Sequence, residues 1–228
     1  MERLDKLLAA TGQWSRKEAK ALVKAGRVQV GGARPKGPED KVAEGTPVTV
    51  DGRPIATEQG VYVMLHKPAG VVSSTQDPRE RTVLDLLPQH LRRRALFPKD
   101  TEGLLLLTND GPLAHALLAP GRHVDKVYYV EVDGRLDQQD RRAFQAGVTL
   151  ADGTVCQPAD LTVLDPPSQG LVTLREGKYH QVKRMLAARG KPVTYLKRLS
   201  MGPLTLDPAL PAGAWRPLTP EEKASLGR

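Results

Sequence analysis

Two hundred and twenty-eight residues carry 34 Lys and Arg against 26 Asp and Glu, a formal net charge of +8, and 39% of them are hydrophobic. That length and apolar content exclude wholesale disorder and allow one large domain or two unequal ones, while a single cysteine, Cys156, excludes an internal disulfide or a cysteine-rich zinc cluster and suits a reducing compartment. MERLDKLLAATGQW has no apolar leader core and no stretch approaches the roughly 18 apolar residues of a spanning helix, so an unanchored, cytoplasmic protein is expected.

In chain order, Leu4, Leu7 and Leu8, and then Ala19, Leu22 and Val23, recur at helical spacing, which predicts two short helices. Ser15 stands three residues before Glu18, the reciprocal capping arrangement that opens a helix. The second helix is therefore expected from about Arg16 to Lys24, with Gly26 at its end. RVQVGGARP and TPVTVDGRPI alternate apolar and polar residues beside Gly-Gly and Asp-Gly turn pairs, the pattern of a small sheet or hairpin. Arg16, Lys17, Lys20, Lys24 and Arg27 fall every three or four residues, so they share one face of the second helix and its exit. Residues 1–56 read as a small module and the aperiodic stretch 57–60 as a linker.

From 61 to 228 the pattern is mixed. VYVMLHKP, KVYYVEVDG, TVCQPADLTVLD and GLVTLREG read as strands, and TVLDLLPQHLRRR, GPLAHALLA, DQQDRRAFQAG and YHQVKRMLAARG as helices. Leu104 to Leu107 read as a buried wall, strand or helix, and Pro68 and Gly70 as a strand end and a turn. Strands and helices do not alternate regularly, so an α+β domain with a mixed or antiparallel sheet is expected.

The charge is clustered. Ser15 to Lys36 holds seven basic residues and one acid, a local +6; Arg175 to Arg198 holds eight and one acid, a local +7; the remainder is −5. Either cluster alone reads equally well as a solvated helix face. Two of them over an acidic remainder point to phosphate-backbone binding. No GxxxxGK[ST], GxGxxG, HExxH or GxSxG string occurs, and His66, His90, His115, His123 and His180 have no spacing that sets two on one helix turn. Neither a metal nor a cofactor is expected.

Four strings then carry a resemblance. HKPAGVVSST (66–75), KDTEGLLLLTNDG (99–111), HVDKVYYVEVDG (123–134) and EGKYHQVKRM (176–185) resemble, in order, the motifs of the RsuA-type ribosomal RNA pseudouridine synthases. Residues 1–56 resemble the αL RNA-binding module that precedes their catalytic domain, known also from a small-subunit ribosomal protein and from tyrosyl-tRNA synthetases. The resemblance implies an isomerase that converts a specific uridine to pseudouridine through an aspartate nucleophile, without metal or cofactor. YHQVKRM and HVDKVYYVEV look more like the small-subunit, 16S-directed branch. The implied partner is ribosomal RNA or a ribosomal subunit assembly intermediate, with no membrane, and the protein is expected to be a monomer.

By resemblance, Tyr128, two residues after Lys126, stacks on the uracil, and Lys183 pairs with the aspartate. From the residues alone Tyr128 reads as an ordinary strand aromatic and Lys183 as one more cation of a solvated helix. Candidate RNA contacts are Arg3, Lys6, Ser15, Arg16, Lys17, Lys20, Lys24, Arg27, Lys178 and Arg184.

One departure matters. The family string runs GRLDxDTxGLLLLTNDG with the first Asp as nucleophile, but five residues before Gly103 stands Pro98. ALFPKDTEGLLLL against LFPVGRLDKDTEGLLLL leaves VGRLD absent between Pro98 and Lys99, and Asp100 matches the second Asp of the string. Three explanations stay open. The segment exists in the protein and is missing from the sequence as written; it is truly absent and the chain is a catalytically inactive RNA-binding or ribosome-assembly factor; or Asp100 moves into the attacking position, against which stands the tight geometry that catalysis demands.

Overall fold

The structure, a computed structural model, describes residues 1–11, 13–43, 45–55, 61–73, 79–88, 91, 102–118 and 124–226. The linker 57–60, the Pro98–Lys99 junction, Asp100, His90 and His123 lie outside the described residues. The chain divides into two compact units, Met1–Val61 with Leu87–Ala95, and Tyr62–Leu86 with Leu96–Arg228.

In the first unit, β1 (Glu2–Arg3) runs into α1 (Leu4–Ala10), which buries Leu4, Leu7 and Leu8. Helix α2 (Arg16–Lys24) buries Ala19, Leu22 and Val23. It opens where the sequence indicates: the Glu18 N–H donates to Ser15 Oγ at 3.2 Å and the Ser15 N–H donates to Glu18 Oε2 at 2.6 Å, satisfying two donors that a helix start leaves unpaired. Strands β2 (Val28–Val30), β3 (Lys41–Val42), β4 (Val48–Val50) and β5 (Arg53–Ile55) follow. β2, β4 and β5 form an antiparallel sheet in that order, and β1 pairs with β3. The β4–β5 hairpin turns through Asp51 and Gly52 at φ of 51° and 74°, the two positive values that a tight Asp-Gly hairpin requires. Leucines of α1 and α2 pack on Val28, Val42, Val48 and Val50 to make the core.

The second unit is built on one sheet. Its strands are β6 (Tyr62–Lys67), β7 (Glu102–Thr108), β8 (Lys126–Val132), β9 (Asp160–Val163), β10 (Gln169–Leu174), β11 (Val193–Met201), β12 (Leu204–Thr205) and β13 (Trp215–Pro217). The order is β13-β6-β7-β11-β8-β10-β9, with β12 paired to β11. Among the described residues only β7 and β11 pair in parallel, through Glu102–Lys197 and Gly103–Arg198; the other strand pairings are antiparallel, so the sheet is mixed. Gly103 makes that junction feasible: it sits at φ +91° and a Cβ there would stand 2.3 Å from the Arg198 carbonyl oxygen.

Among the described residues four helices complete the unit, α3 (Gly111–Leu118), α4 (Gln138–Ala146), α5 (Gln181–Ala188) and α6 (Pro220–Leu226). β8 buries alternate residues, and Tyr128, Val130 and Val132 pack with Phe144 of α4 and with Val182, Met185 and Leu186 of α5. A second cluster joins Met64, Leu104, Leu106, Leu117, Met201 and Leu204. Leu104 to Leu107 are all buried in β7, so the leucine wall is a strand covered on both faces, each side chain contributing about 2 kcal/mol by leaving water.

Three expected elements are shorter than their sequence patterns. TVLDLLPQHLRRR yields a 3₁₀ turn over Val83–Leu86: the Thr82 N–H and hydroxyl both donate to the Asp85 carboxylate, and Pro88 lacks the N–H that an α-helix would need and disfavours helical geometry at Leu87. Leu91 of that stretch is helical, and residues 89–90 and 92–94 lie outside the described residues. In TVCQPADLTVLD only Asp160–Val163 is strand, since Pro158 cannot donate to a ladder, and Thr149 and Val155 instead form an isolated bridge. YHQVKRMLAARG enters its helix only at Gln181, because His180 is left-handed at φ 49°. Among the described residues no helix is long and apolar enough to cross a membrane, and no group of His, Cys, Asp or Glu is placed to hold a metal ion.

Candidate active site

In the second unit a cleft of about 340 Å³ opens among the end of β6, the start of β7, α5 and the first half of β11. β6 delivers Lys67, and Pro68 and Gly70 (φ 68°) turn the chain along the rim, as the sequence suggested. β7 begins with Glu102 on the wall, and α5 brings Lys183, exposed and lining the cleft. Glu80, Thr194 and Tyr195 complete the polar lining. Among the described residues Lys183 has no hydrogen bond or ion pair, so its ammonium is available to an anion entering the cleft. Burial first, and then the nearby Glu102 carboxylate, push the Tyr195 phenol above its ordinary pKa. The Tyr129 ring meets the Tyr195 ring edge-on at 6.0 Å between centroids, and the Tyr129 hydroxyl donates to Glu131 at 2.8 Å.

Behind this wall lie buried cations. Arg198 Nε donates to the Leu104 carbonyl at 2.8 Å, and Lys126 Nζ to the Val124 carbonyl at 2.9 Å. Burial and then the Arg198 charge lower the Lys126 pKa. Tyr128, only 9% exposed, is opposite Arg198 on β11 and in the core with Val182 and Met185, the neighbours of Lys183 on α5. It is not among the residues lining the cleft. The structure thus brings Lys183 to the cleft together with Lys67, Glu102 and Tyr195, and holds Tyr128 within the adjoining core.

The turn before α5 is locked by Glu176. This buried carboxylate accepts from the Gln157 N–H at 2.9 Å, from Gln181 Nε2 at 2.5 Å and from the Lys178 ammonium. Burial would raise its pKa, but these donors outweigh burial and hold it below the usual carboxylate value. Lys178 therefore serves the turn as well as the basic surface. Arg184 reaches the Asp152 carboxylate at 2.5 Å and the Tyr179 carbonyl at 3.4 Å.

In the first unit the basic face is organised by an acid that sequence reasoning missed. Asp5, fully buried, receives Arg3 through two hydrogen bonds at 3.1 and 3.0 Å, with Arg16 at 3.7 Å and Lys20 at 3.9 Å. The Arg3 hydrogen bonds, more than any other contact, lower its pKa against the opposing effect of burial. Arg27 is paired with Asp51 at 2.8 and 2.5 Å, and Lys6 with Glu2 at 2.6 Å. Ser15 spends its hydroxyl oxygen on the helix cap. Lys17 and Lys24 have no acidic partner among the described residues. Lys24 also lines, with Lys20, Arg34 and Lys36, a cavity of about 540 Å³; Arg34 and Lys36 carried no periodic signal that would have joined them to α2. Glu102, Tyr195 and Glu176 were equally silent, because their partners are remote in sequence or belong to an irregular turn.

Comparison with known proteins finds relatives along the whole chain. Residues 61–188 match the model of a family described as RNA pseudouridylate synthase, and residues 2–48 match the S4 domain. The chain is 48% identical to the uncharacterized RNA pseudouridine synthase YtzG of Bacillus subtilis, over 96% of each chain. It is 43% identical to the ribosomal small subunit pseudouridine synthase A of Pseudomonas aeruginosa, over 98% of this chain and 100% of that one. A crystal structure of a pseudouridylate synthase superposes with a TM-score of 0.70 at 31% identity, covering 99% of this chain and 100% of the other.

Proposed function

Because the chain belongs to the RNA pseudouridylate synthase family, we propose that it isomerises one specific uridine of ribosomal RNA, in the 16S RNA of the small subunit, as a cytoplasmic monomer. The observation that carries this reading is the full-length likeness to a small-subunit enzyme. In it, residues 1–56 dock RNA, 57–60 link, and 61–228 catalyse. The substrate uridine must leave its stack to enter a pocket, and a nucleophilic aspartate must then attack the nucleoside while the glycosidic bond breaks. Lys183 keeps that aspartate ionised by its charge, and Tyr128 stacks on the uracil. Arg3, Lys6, Ser15, Arg16, Lys17, Lys20, Lys24 and Arg27 of the first unit, and Lys178 and Arg184 of the second, hold the RNA. The unpartnered Lys183 ammonium on the cleft supports its assignment; the stacking role of Tyr128, which is 9% exposed and does not line the cleft, is carried by the family resemblance.

The test is mass spectrometry of chemically derivatised ribosomal RNA from cells with and without the gene. Loss of one 16S pseudouridine is expected, and identical profiles overturn the proposal. A second reading, a ribosomal RNA-binding or assembly factor that no longer isomerises, is favoured by one observation, the absence of VGRLD between Pro98 and Lys99. It predicts salt-sensitive binding to ribosomal RNA without any change in pseudouridine content.

A further inference from the structure

Apart from Met1, the large hydrophobic side chains exposed among the described residues are Tyr179, at 67%, and Val155, at 64%. They belong to two segments that are tied together. The Gln157 N–H donates to Glu176, and Arg184 bridges Asp152 on one segment and the Tyr179 carbonyl on the other. The turn carrying Tyr179 is costly to build. His180 occupies the left-handed region at φ 49°, which a non-glycine residue adopts only when its surroundings impose it. Glu176 and Gln181 impose it here: Gln181 Nε2 donates to Glu176 and the Lys178 N–H donates to Gln181 Oε1 at 2.9 Å. The His180 ring props Tyr179 edge-to-face, 4.0 Å between centroids. A fold that only needed to start α5 has no use for a rigidly held, solvent-facing phenol.

We infer that Tyr179, propped by His180, is a stacking platform for an unpaired base of the RNA substrate, next to the uridine that enters the cleft. The inference rests on the reading of the substrate as RNA and adds how that RNA is held. Tyr179 lies four residues from Lys183, which lines the cleft, within the segment whose charge is +7. An exposed aromatic face set among cations suits a base with phosphates on either side and does not suit an apolar protein surface.

The experiment uses the full chain and hairpin RNAs carrying 2-aminopurine at successive loop positions, alongside a fully paired RNA of equal length. With the parent protein the fluorescence of one loop position is quenched on binding. Tyr179→Phe retains that quench and binds within about twofold, whereas Tyr179→Ala and Tyr179→Leu abolish it and bind the hairpin about 5- to 150-fold more weakly, the range expected for one lost stack. Affinity for the paired RNA is unchanged in all variants. Because the side chain is largely exposed, all three should melt with the parent, and circular dichroism checks this. An unchanged quench and affinity in Tyr179→Ala overturns the platform while leaving the substrate reading intact. A parent protein that binds neither RNA overturns the substrate reading, and the platform with it.

Discussion

Removing the Glu176 carboxylate should loosen the entry to α5. Glu176 is 6% exposed and accepts from Gln157 N–H, Gln181 Nε2 and Lys178 Nζ. Glu176→Ala leaves the buried Gln181 amide and, in part, the Gln157 N–H unpaired, at about 1–3 kcal/mol each. The Lys178 side chain, 31% exposed, regains water and adds less than about 1 kcal/mol. The total is about 3 kcal/mol, and Glu176→Gln, which keeps one acceptor oxygen but no charge, should cost about half of that. The folded-state pKa of Glu176 lies below its ordinary value, with burial opposed and outweighed by the Lys178, Gln157 and Gln181 donors. Its contribution is therefore complete above the unfolded pKa of about 4.3 and fades as pH falls through the folded value. Urea unfolding of parent and variants, with hydrogen-exchange mass spectrometry of a peptide spanning 176–188, measures both effects. Protection in that peptide should fall first, and the stability gap should narrow as pH is taken from about 7 towards 3. A gap below about 0.5 kcal/mol, or one that stays constant with pH, would refute the argument.

Three further outcomes are expected. Lys17→Ala combined with Lys24→Ala should lower the salt slope of ribosomal RNA binding by up to about 1.8, at about 0.9 per phosphate contact, with no loss of stability because neither ammonium has an acidic partner among the described residues; filter binding across a salt series reads it, and an unaltered slope removes α2 from the docking surface. Gly103→Ala should destabilise the second unit by several kcal/mol, since positive φ costs about 1–2 kcal/mol and the new Cβ would meet the Arg198 carbonyl oxygen at 2.3 Å; a thermal midpoint equal to that of the parent contradicts this. If VGRLD is truly absent between Pro98 and Lys99, the chain should produce no pseudouridine in a mass-spectrometric assay, and inserting VGRLD there should restore it; turnover in the chain without that segment that survives Asp100→Ala would defeat both that prediction and the idea that Asp100 attacks.

The parts of the fold that are legible without coordinates are those whose causes lie within about four residues. The start of α2 follows from Ser15 and Glu18, its end from Gly26, the β4–β5 turn from Asp51-Gly52, and β8 from the alternation between Lys126 and Val132. Lys183, which local pattern alone reads as one more helix cation and only the family resemblance singles out, lines the cleft. Where a short-range pattern competed with another local force, the pattern failed. Asp85 and Pro88 turn the first part of one expected helix into a 3₁₀ turn, and His180 delayed α5.

What the sequence by itself determined is the α+β class, the helix caps and hairpin turn, the two basic clusters and the family resemblance, because each is written in contiguous residues. Only the tertiary structure decided that Leu104 to Leu107 form a strand, since burial on two faces depends on what packs there. It alone gathered Arg3, Arg16 and Lys20 around Asp5, brought Tyr195 and Glu102 to one cleft and held Tyr179 in solvent. These contacts join residues whose separation along the chain carries no periodic signal, and the energy that selects them exists only once the sheet and helices have brought them within hydrogen-bonding reach.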